Sequence, residues 1–308
     1  MSIKEIEEIV DLDKVGRMSP TKKEFYNHNP MNASVSSQRA LVIIDPQNDF
    51  IADMGTLKVK GAIDDTKRLI KYIYKNIDAY ERISVTLDTH YKNSIFFPMA
   101  WDSSEDIIFK VITEEDINNK SVIPLMEIPE FQKQYVKEIT KAGKQLTIWP
   151  YHCIVGTHGH AIEDQLSQML EYYEAYRGKE IDRIIKGLGR YSEHYGALKP
   201  EVEVANKGSI SGVLKLWLED LKCLERIDIC GQAKDYCLYE TVKQMCEYYG
   251  DKNITSKIHV LYNLSSCIGD WIQCREKYKK LEDDYHIHIC YAKEDGTTSK
   301  YGTQRDNF

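Results

Sequence analysis

Four apolar runs in the chain end on side chains that can do chemistry. Ala40-Leu41-Val42-Ile43-Ile44 runs into Asp45, and Ile83-Ser84-Val85-Thr86-Leu87 runs into Asp88. Ile181-Asp182-Arg183-Ile184-Ile185 runs into Lys186, and Ile227-Asp228-Ile229-Cys230 leads through Gly231 to Cys237. In an open α/β sheet, ligands bind beyond the carboxyl ends of the strands. Two carboxylates, an amine and a thiol at one sheet edge are the parts of a nucleophilic site. A thiol of ordinary pKa needs an adjacent base and cation, or a helix N-terminus, before it can attack. The expected helix from Leu238 to Tyr248 puts Cys237 at such a terminus, whose dipole favours a thiolate.

A second constellation overlaps the first. Asp88-Thr89-His90 leaves a strand end with two possible metal ligands, and Trp149-Pro150-Tyr151-His152-Cys153 brings another imidazole on a segment stiffened by Pro150. Two His and one carboxylate with open positions suit Zn²⁺, Fe²⁺ or Mn²⁺. Taken alone, an Asp-x-His pair reads as a solvated or capping pair sooner than as metal ligands.

These groups need a scaffold. The apolar positions Leu69, Ile70, Ile73 and Ile77 recur at helical spacing, as do Ile162, Leu166, Met169, Leu170 and Tyr173. Val213, Leu214, Trp217, Leu218 and Leu221 mark a further helix, and Trp271 to Leu281 another, while Ile258–Leu261 and Ile287–Cys290 read as strands. Alternation of this kind predicts an α/β fold, a doubly wound, mostly parallel sheet flanked by helices. Residues 39–293 would form that domain. Residues 1–38 read as a polar extension draped on the surface or partly disordered, and 294–308 as a polar tail. Residues 91–147 are too long for an ordinary connection and carry Phe96, Phe97, Trp101, Phe109 and Phe131, so they read as an ordered insertion or lid.

The chain of 308 residues is 42% apolar with a formal charge of −7. It can bury a sizeable core, and its acidity argues against nonspecific nucleic-acid binding. No apolar run approaches a membrane span, and the charged start is unlike a signal peptide, so the expectation is a cytoplasmic enzyme with no membrane partner. The eight cysteines contain no Cys-x-x-Cys pair and read as reduced thiols. A homo-oligomer built through the extension and insertion is compatible with any of this.

Asp45-Pro46-Gln47-Asn48-Asp49-Phe50, Asp88-x-His90, Trp149-Pro150-x-His152-Cys153, Lys186-Gly187 and Gly231-Gln232-Ala233-Lys234-Asp235-Tyr236-Cys237 together resemble the isochorismatase-like cysteine hydrolases, and within them the nicotinamidases of a longer bacterial and phage type. The resemblance covers roughly residues 40–261. It implies Cys237 as nucleophile, Asp45 as general base and Lys186 as the cation between them. It implies Asp88, His90 and His152 as ligands of a divalent metal, Zn²⁺ first, and Phe50 and Trp149 as walls for a flat aromatic amide. It also implies a cis peptide between Gln232 and Ala233, with the Ala233 and Cys237 N–H groups forming an oxyanion hole. The expected reaction is hydrolysis of nicotinamide or a similar heteroaromatic amide to the acid and ammonia, serving NAD salvage. The rival readings are a carbamoyl, ureido or isochorismate substrate at the same residues, or a non-catalytic binding protein.

Asp49 reads as a loop or helix cap, His158 and His160 as turn residues, and Cys153 as packing. Glu193 and His194 are read either as lining the mouth of the site or as structural. Gln232 and Lys234 depart from the usual pattern beside the cis bond, and Lys234 is placed to tune the nucleophile. The His that many relatives carry after the Asp-x-His motif is absent from Asn93-Ser94-Ile95-Phe96.

Overall fold

The structure, a computed structural model, describes residues 5–17, 38–202 and 210–301. The chain forms eleven strands among the described residues: β1 (Arg39–Ile44), β2 (Tyr80–Asp88), β3 (Trp101–Asp102), β4 (Val111–Ile112), β5 (Ile123–Pro124), β6 (Leu146–Thr147), β7 (Asp182–Lys186), β8 (Arg226–Gly231), β9 (Ile258–Leu261), β10 (His288–Ala292) and β11 (Thr298–Lys300). Seven of them make one sheet in the order β11-β10-β9-β8-β1-β2-β7, parallel throughout except for the β10–β11 pair. The mostly parallel, doubly wound α/β sheet expected from the sequence is therefore present. The antiparallel β11 was not anticipated, because its Thr-Ser-Lys sequence carries no apolar signal.

The path runs from β1 outward to β2 and β7, then crosses back to β8 on the other side of β1. The strand order thus reverses between β1 and β8, and a crevice opens at their carboxyl ends. Both faces are covered, as the side-chain period of two requires. Leu41 and Ile43 of β1 enter the core beneath the helices Ala62–Lys75 and Asp164–Arg177, among Leu69, Ile70, Ile73, Leu166 and Met169. Ala40, Val42 and Ile44 point to the opposite face, where Trp217, Val242, Met245 and Tyr278 arrive from the helices Gly212–Lys222, Tyr239–Tyr249 and Trp271–Tyr285. Each fully buried aliphatic side chain contributes about 1.5–3 kcal/mol through the area it removes from water. β1 carries four consecutive ones, Leu41 to Ile44, which anchors it at the centre of the sheet.

Residues 91–147 build their own small core from Phe96, Phe97, Trp101, Tyr135, Val136 and Ile139, which also takes in Trp149. Two short antiparallel pairs, β3–β5 and β4–β6, and the helix Pro129–Lys141 give it shape. Near the N-terminus, Ile9, Val10 and Val15 are buried against the Ala62–Lys75 helix and its neighbours. The remainder of the expected N-terminal extension, 1–4 and 18–37, and the end of the polar tail, 302–308, lie outside the described residues. No described helix is long and apolar enough to cross a membrane.

Candidate active site

Asp45 follows β1 directly and has a left-handed backbone, φ 44°. Thr86 holds it there: its hydroxyl accepts from the Asp45 N–H at 2.9 Å and donates to Oδ1 at 2.5 Å. The other carboxylate oxygen faces the Lys186 ammonium at 3.0 Å. Lys186, at the end of β7, is buried, and its Nζ also reaches Asp88 Oδ1 at 3.0 Å, the His194 carbonyl at 3.0 Å and Cys237 Sγ at 3.4 Å. Three strand ends and the loop after β8 therefore converge on one ammonium, as the apolar-run pattern implied.

The electrostatics differ from the expectation of a thiolate stabilised by a helix dipole. Burial pushes the Cys237 thiol well above its ordinary value; Lys186 opposes this, and Asp45 and Asp88 reinforce it. Burial also raises Asp45, against the pull of Lys186. Lys186 itself is raised well above the ordinary lysine value, because Asp45 and Asp88 outweigh the burial that would lower it. The ammonium is thus held charged between the two carboxylates and the thiol. Local geometry contributes: Cys237 lies inside a π-helical turn, Lys234–Leu238, and the regular helix starts only at Tyr239.

Beside this group sit Asp88, His90 and His152, whose potential ligand atoms all lie within 4.8 Å of one another. Asp88 Oδ2 is 2.8 Å from His90 Nε2 and 3.6 Å from His152 Nε2. The two Nδ1 atoms face carbonyls, Gly187 O at 3.2 Å and Pro150 O at 2.8 Å. Each Nδ1 is thus placed to donate to a carbonyl, and each Nε2 is directed at the space beside the Asp88 carboxylate, the orientation a metal ligand requires. The donor set fits Zn²⁺, Fe²⁺ or Mn²⁺. Gly187 has φ 80°, and a Cβ there would stand 2.7 Å from His90 Cε1 and 2.8 Å from Asp88 Oδ1, so a side chain would collide with the cluster.

Gln47, to which the sequence reading gave no role, clamps the Asp88 main chain. Its amide accepts from the Asp88 N–H and donates to the Asp88 carbonyl, both at 2.8 Å. Asp49 is structural, accepting from the Cys153 N–H at 2.7 Å and the Thr56 N–H at 3.2 Å. His158 and His160 form a short turn, with His160 Nε2 2.8 Å from the Thr89 hydroxyl and His158 Nε2 3.1 Å from Asp164.

A narrow cavity of about 30 Å³ opens above Cys237, walled by Phe50, Trp149, His152, Glu193, Tyr195 and Tyr236. Phe50 packs on His152 at 5.6 Å, and Trp149 meets Tyr236 edge-on at 5.5 Å. Tyr195 and Tyr236 were not singled out from the sequence, and Glu193 was left between two readings. Glu193 accepts from Trp149 Nε1 at 3.3 Å, and burial, aided by the nearby Asp88 charge, raises its carboxyl to about 8. The chamber is therefore aromatic, with the Glu193 carboxyl on one wall and His152 and Asp88 on another. The peptide Gln232–Ala233 is cis, and among the described residues the Ala233 N–H has no hydrogen-bond partner. Gln232 is stapled by Asp65, which accepts from Nε2 at 3.0 Å, and by the Ser266 N–H, which donates to Oε1 at 3.1 Å. Lys234 does not tune Cys237: its ammonium lies 3.8 Å from the centroid of the Tyr262 ring, toward Cys267 and Cys274.

No family model matches the chain. A nicotinamidase of Saccharomyces cerevisiae is 25% identical over 253 residues, spanning 82% of this chain and 98% of that enzyme. The solved structure of yeast nicotinamidase superposes with a TM-score of 0.59 at 20% identity, over 82% of this chain and 98% of that one. A nicotinamidase–pyrazinamidase of Acinetobacter baumannii gives 0.55 at 18% identity, covering 80% and 93%. A pyrazinamidase of Pyrococcus horikoshii, solved in complex with zinc, gives 0.50 at 18%, covering 82% and 99%. The fold is that of these nicotinamidase and pyrazinamidase structures, and the similarity to the yeast nicotinamidase extends over nearly the whole length of that enzyme.

Proposed function

We propose that this chain is a metal-dependent amide hydrolase of the nicotinamidase kind, converting nicotinamide, or a heteroaromatic carboxamide of similar shape, to the acid and ammonia. The observation that carries the reading is the Lys186 ammonium, in contact at once with Asp45, Asp88 and Cys237. Residues 39–293 form the catalytic unit on this reading, with 91–147 as its roof.

Moving a proton from Cys237 to Asp45 transfers the negative charge from an oxygen to a sulfur beside the same ammonium. The charge inside the buried pocket is unchanged, so the desolvation cost of a bare thiolate is largely offset. The thiolate sulfur bonds to the carboxamide carbon, and the carbonyl electron pair moves to oxygen. The N–H groups of Ala233 and Cys237 are assigned to that oxyanion, where each donor is worth about 3–4 kcal/mol. Protonated Asp45 returns its proton to the departing nitrogen, the C–N bond breaks, and ammonia leaves a thioester. Asp45 then takes a proton from water, hydroxide displaces the thiolate, and Asp45 reprotonates Cys237. Asp88, His90 and His152 would hold the divalent ion, which supplies a Lewis-acid anchor for the ring nitrogen. Phe50, Trp149, Tyr195 and Tyr236 hold the ring flat and exclude water. The acid product is one that NAD salvage would consume.

The test is ammonia release from nicotinamide by metal-loaded protein beside Cys237→Ala. Turnover abolished by the substitution is expected. Turnover that survives it would reject the nucleophile, and turnover of a different amide alone would reject the substrate.

A further inference from the structure

A second cavity, of about 190 Å³, shares no lining residue with the catalytic one. Helical spacing builds one side of it, because Arg275, Tyr278, Lys279 and Glu282 fall on one face of the Trp271–Tyr285 helix. The other side is Tyr262 in the turn after β9, Ile289 of β10, and Tyr301 just beyond β11. The Tyr301 N–H donates to the Ile289 carbonyl at 2.9 Å, which fixes that wall. Tyr262 meets Tyr278 edge-on at 5.5 Å and Tyr301 at 5.2 Å. Tyr262, Tyr278 and Ile289 are buried, whereas Arg275 and Lys279 are exposed. The cavity is therefore aromatic within and charged at its mouth.

That lining selects a ligand class. Three tyrosines offer ring faces and edges to a flat apolar body. Pockets for drug-sized ligands run to about 300–1,000 Å³, so this smaller one suits a single ring. The Arg275 guanidinium lies 5.5 Å from the Tyr301 centroid, and neither it nor Lys279 pairs with a carboxylate among the described residues. The one carboxylate of the lining, Glu282, has Lys300 at 3.9 Å. The mouth thus carries an excess of positive charge, and a guanidinium without a partner is a fork shaped for a carboxylate.

The two buried tyrosines of the cavity also hold the segment that carries the nucleophile. Tyr278 donates its hydroxyl proton to the Lys234 carbonyl at 2.8 Å, and the Lys234 ammonium lies 3.8 Å from the Tyr262 centroid. Lys234 opens the π-helical turn Lys234–Leu238 that contains Cys237. We propose that this cavity is a second, non-catalytic binding site for a single-ring aromatic carboxylate, and that its occupancy restrains the 234–238 turn through Tyr262 and Tyr278. The ring packs among the three tyrosines, and the carboxylate pairs with Arg275 at the mouth. The acid released by the proposed amide hydrolysis belongs to this class; that link rests on the reading of the catalytic site, and the second site does not.

Calorimetric titration of the full chain with benzoate tests the site, since benzoate is not the product of nicotinamide hydrolysis and has no ring nitrogen for a metal. The protein should bind benzoate with a component that Trp149→Ala keeps and that Arg275→Glu weakens at least about tenfold, the loss expected of a charge-assisted hydrogen bond. Arg275→Glu should leave turnover without benzoate unchanged. Binding that Arg275→Glu leaves intact, or no binding at millimolar benzoate, would overturn the second site. Hydrogen exchange at the 234–238 amides should slow when benzoate is added, and not in Arg275→Glu; binding without that change would overturn the restraint. Nicotinate should displace benzoate from the Arg275-dependent component, and failure to do so would remove the product from its ligands. A chain that binds benzoate in this way and releases no ammonia from nicotinamide keeps this site and loses the proposed substrate.

Discussion

Two buried lysines, Lys186 and Lys234, each feel the charge of a thiol, yet their surroundings drive them in opposite directions. Lys186 has Asp45 and Asp88 in contact, and its ammonium is held charged well above the ordinary range. Lys234 is buried on the face of Tyr262, its Nζ has no carboxylate hydrogen bond among the described residues, and burial lowers its pKa. Their thiols invert in turn: the fully buried Cys237 is raised and the partly exposed Cys267 is lowered. A lysine next to a cysteine is therefore not in itself an activated thiol. Cys267 is lowered first by Cys274 and only then by Lys234, so every polar group the sulfur meets, and the water it retains, sets its value.

The widest contrast comes from removing each ammonium. Lys186→Met leaves Asp45 and Asp88 buried without their cation, and breaking a buried ion pair of this kind costs about 3–5 kcal/mol. Chemical denaturation should show that loss together with loss of amide turnover. Lys234→Met forfeits only a cation on an aromatic face, about 0.5–2 kcal/mol, and should keep turnover. Equal losses in the two variants would dissolve the distinction.

The metal cluster offers the next test. Gly187→Ala puts a methyl group against His90 and Asp88 at a left-handed backbone position, and misplacing ligands typically costs about 10–100-fold in metal affinity. Equilibrium dialysis with Zn²⁺ should show a drop of that order, and unchanged affinity would remove Asp88 and His90 from the ligand set.

Glu193 gives a smaller, pH-dependent effect. Its folded value near 8 lies above the ordinary 4.5. Between these the folded state holds a proton that the unfolded state has released. The contribution is therefore full below about 4.5 and is lost as pH rises through about 8. In metal-free protein Glu193→Gln should flatten the decline of Tm with pH across that window. A variant that keeps the full slope would place the titration elsewhere.

The mildest test compares the thiols directly. In the amide-free protein, alkylation of Cys267 should level off below the ordinary thiol range, whereas that of Cys237 should still be rising above it. Matching profiles would show that Lys186 and Lys234 act alike after all.

The reach of the sequence follows from these physics. Runs such as Ala40–Ile44 and Ile227–Cys230 announce central strands because both faces must be apolar, and the reactive residue at each end then falls on one edge without further information. Asp45, Asp88 and Lys186 were legible in that way, whereas His90, His152 and Cys237 were read from the motifs around them. Gln47, Tyr195 and Tyr236 were not, because a lone amide or phenol in a loop has no periodicity, and its partner is far away in the chain. Lys234 was legible as an oddity but not in its direction, since the neighbours that decide it, Tyr262, Cys267 and Cys274, arrive from another element. The thiol value of Cys237 was misjudged because the helix terminus is visible in sequence and the depth of burial is not.

The central claim is that Cys237, with Asp45 and Lys186, attacks the amide carbon. Protein quenched in acid during turnover of nicotinamide and digested with trypsin tests it most directly. The account predicts a nicotinoyl group on the peptide 235–243, which carries Cys237, and none on 258–275. Ammonia release with no acyl group on Cys237, and undiminished in Cys237→Ala, would contradict it.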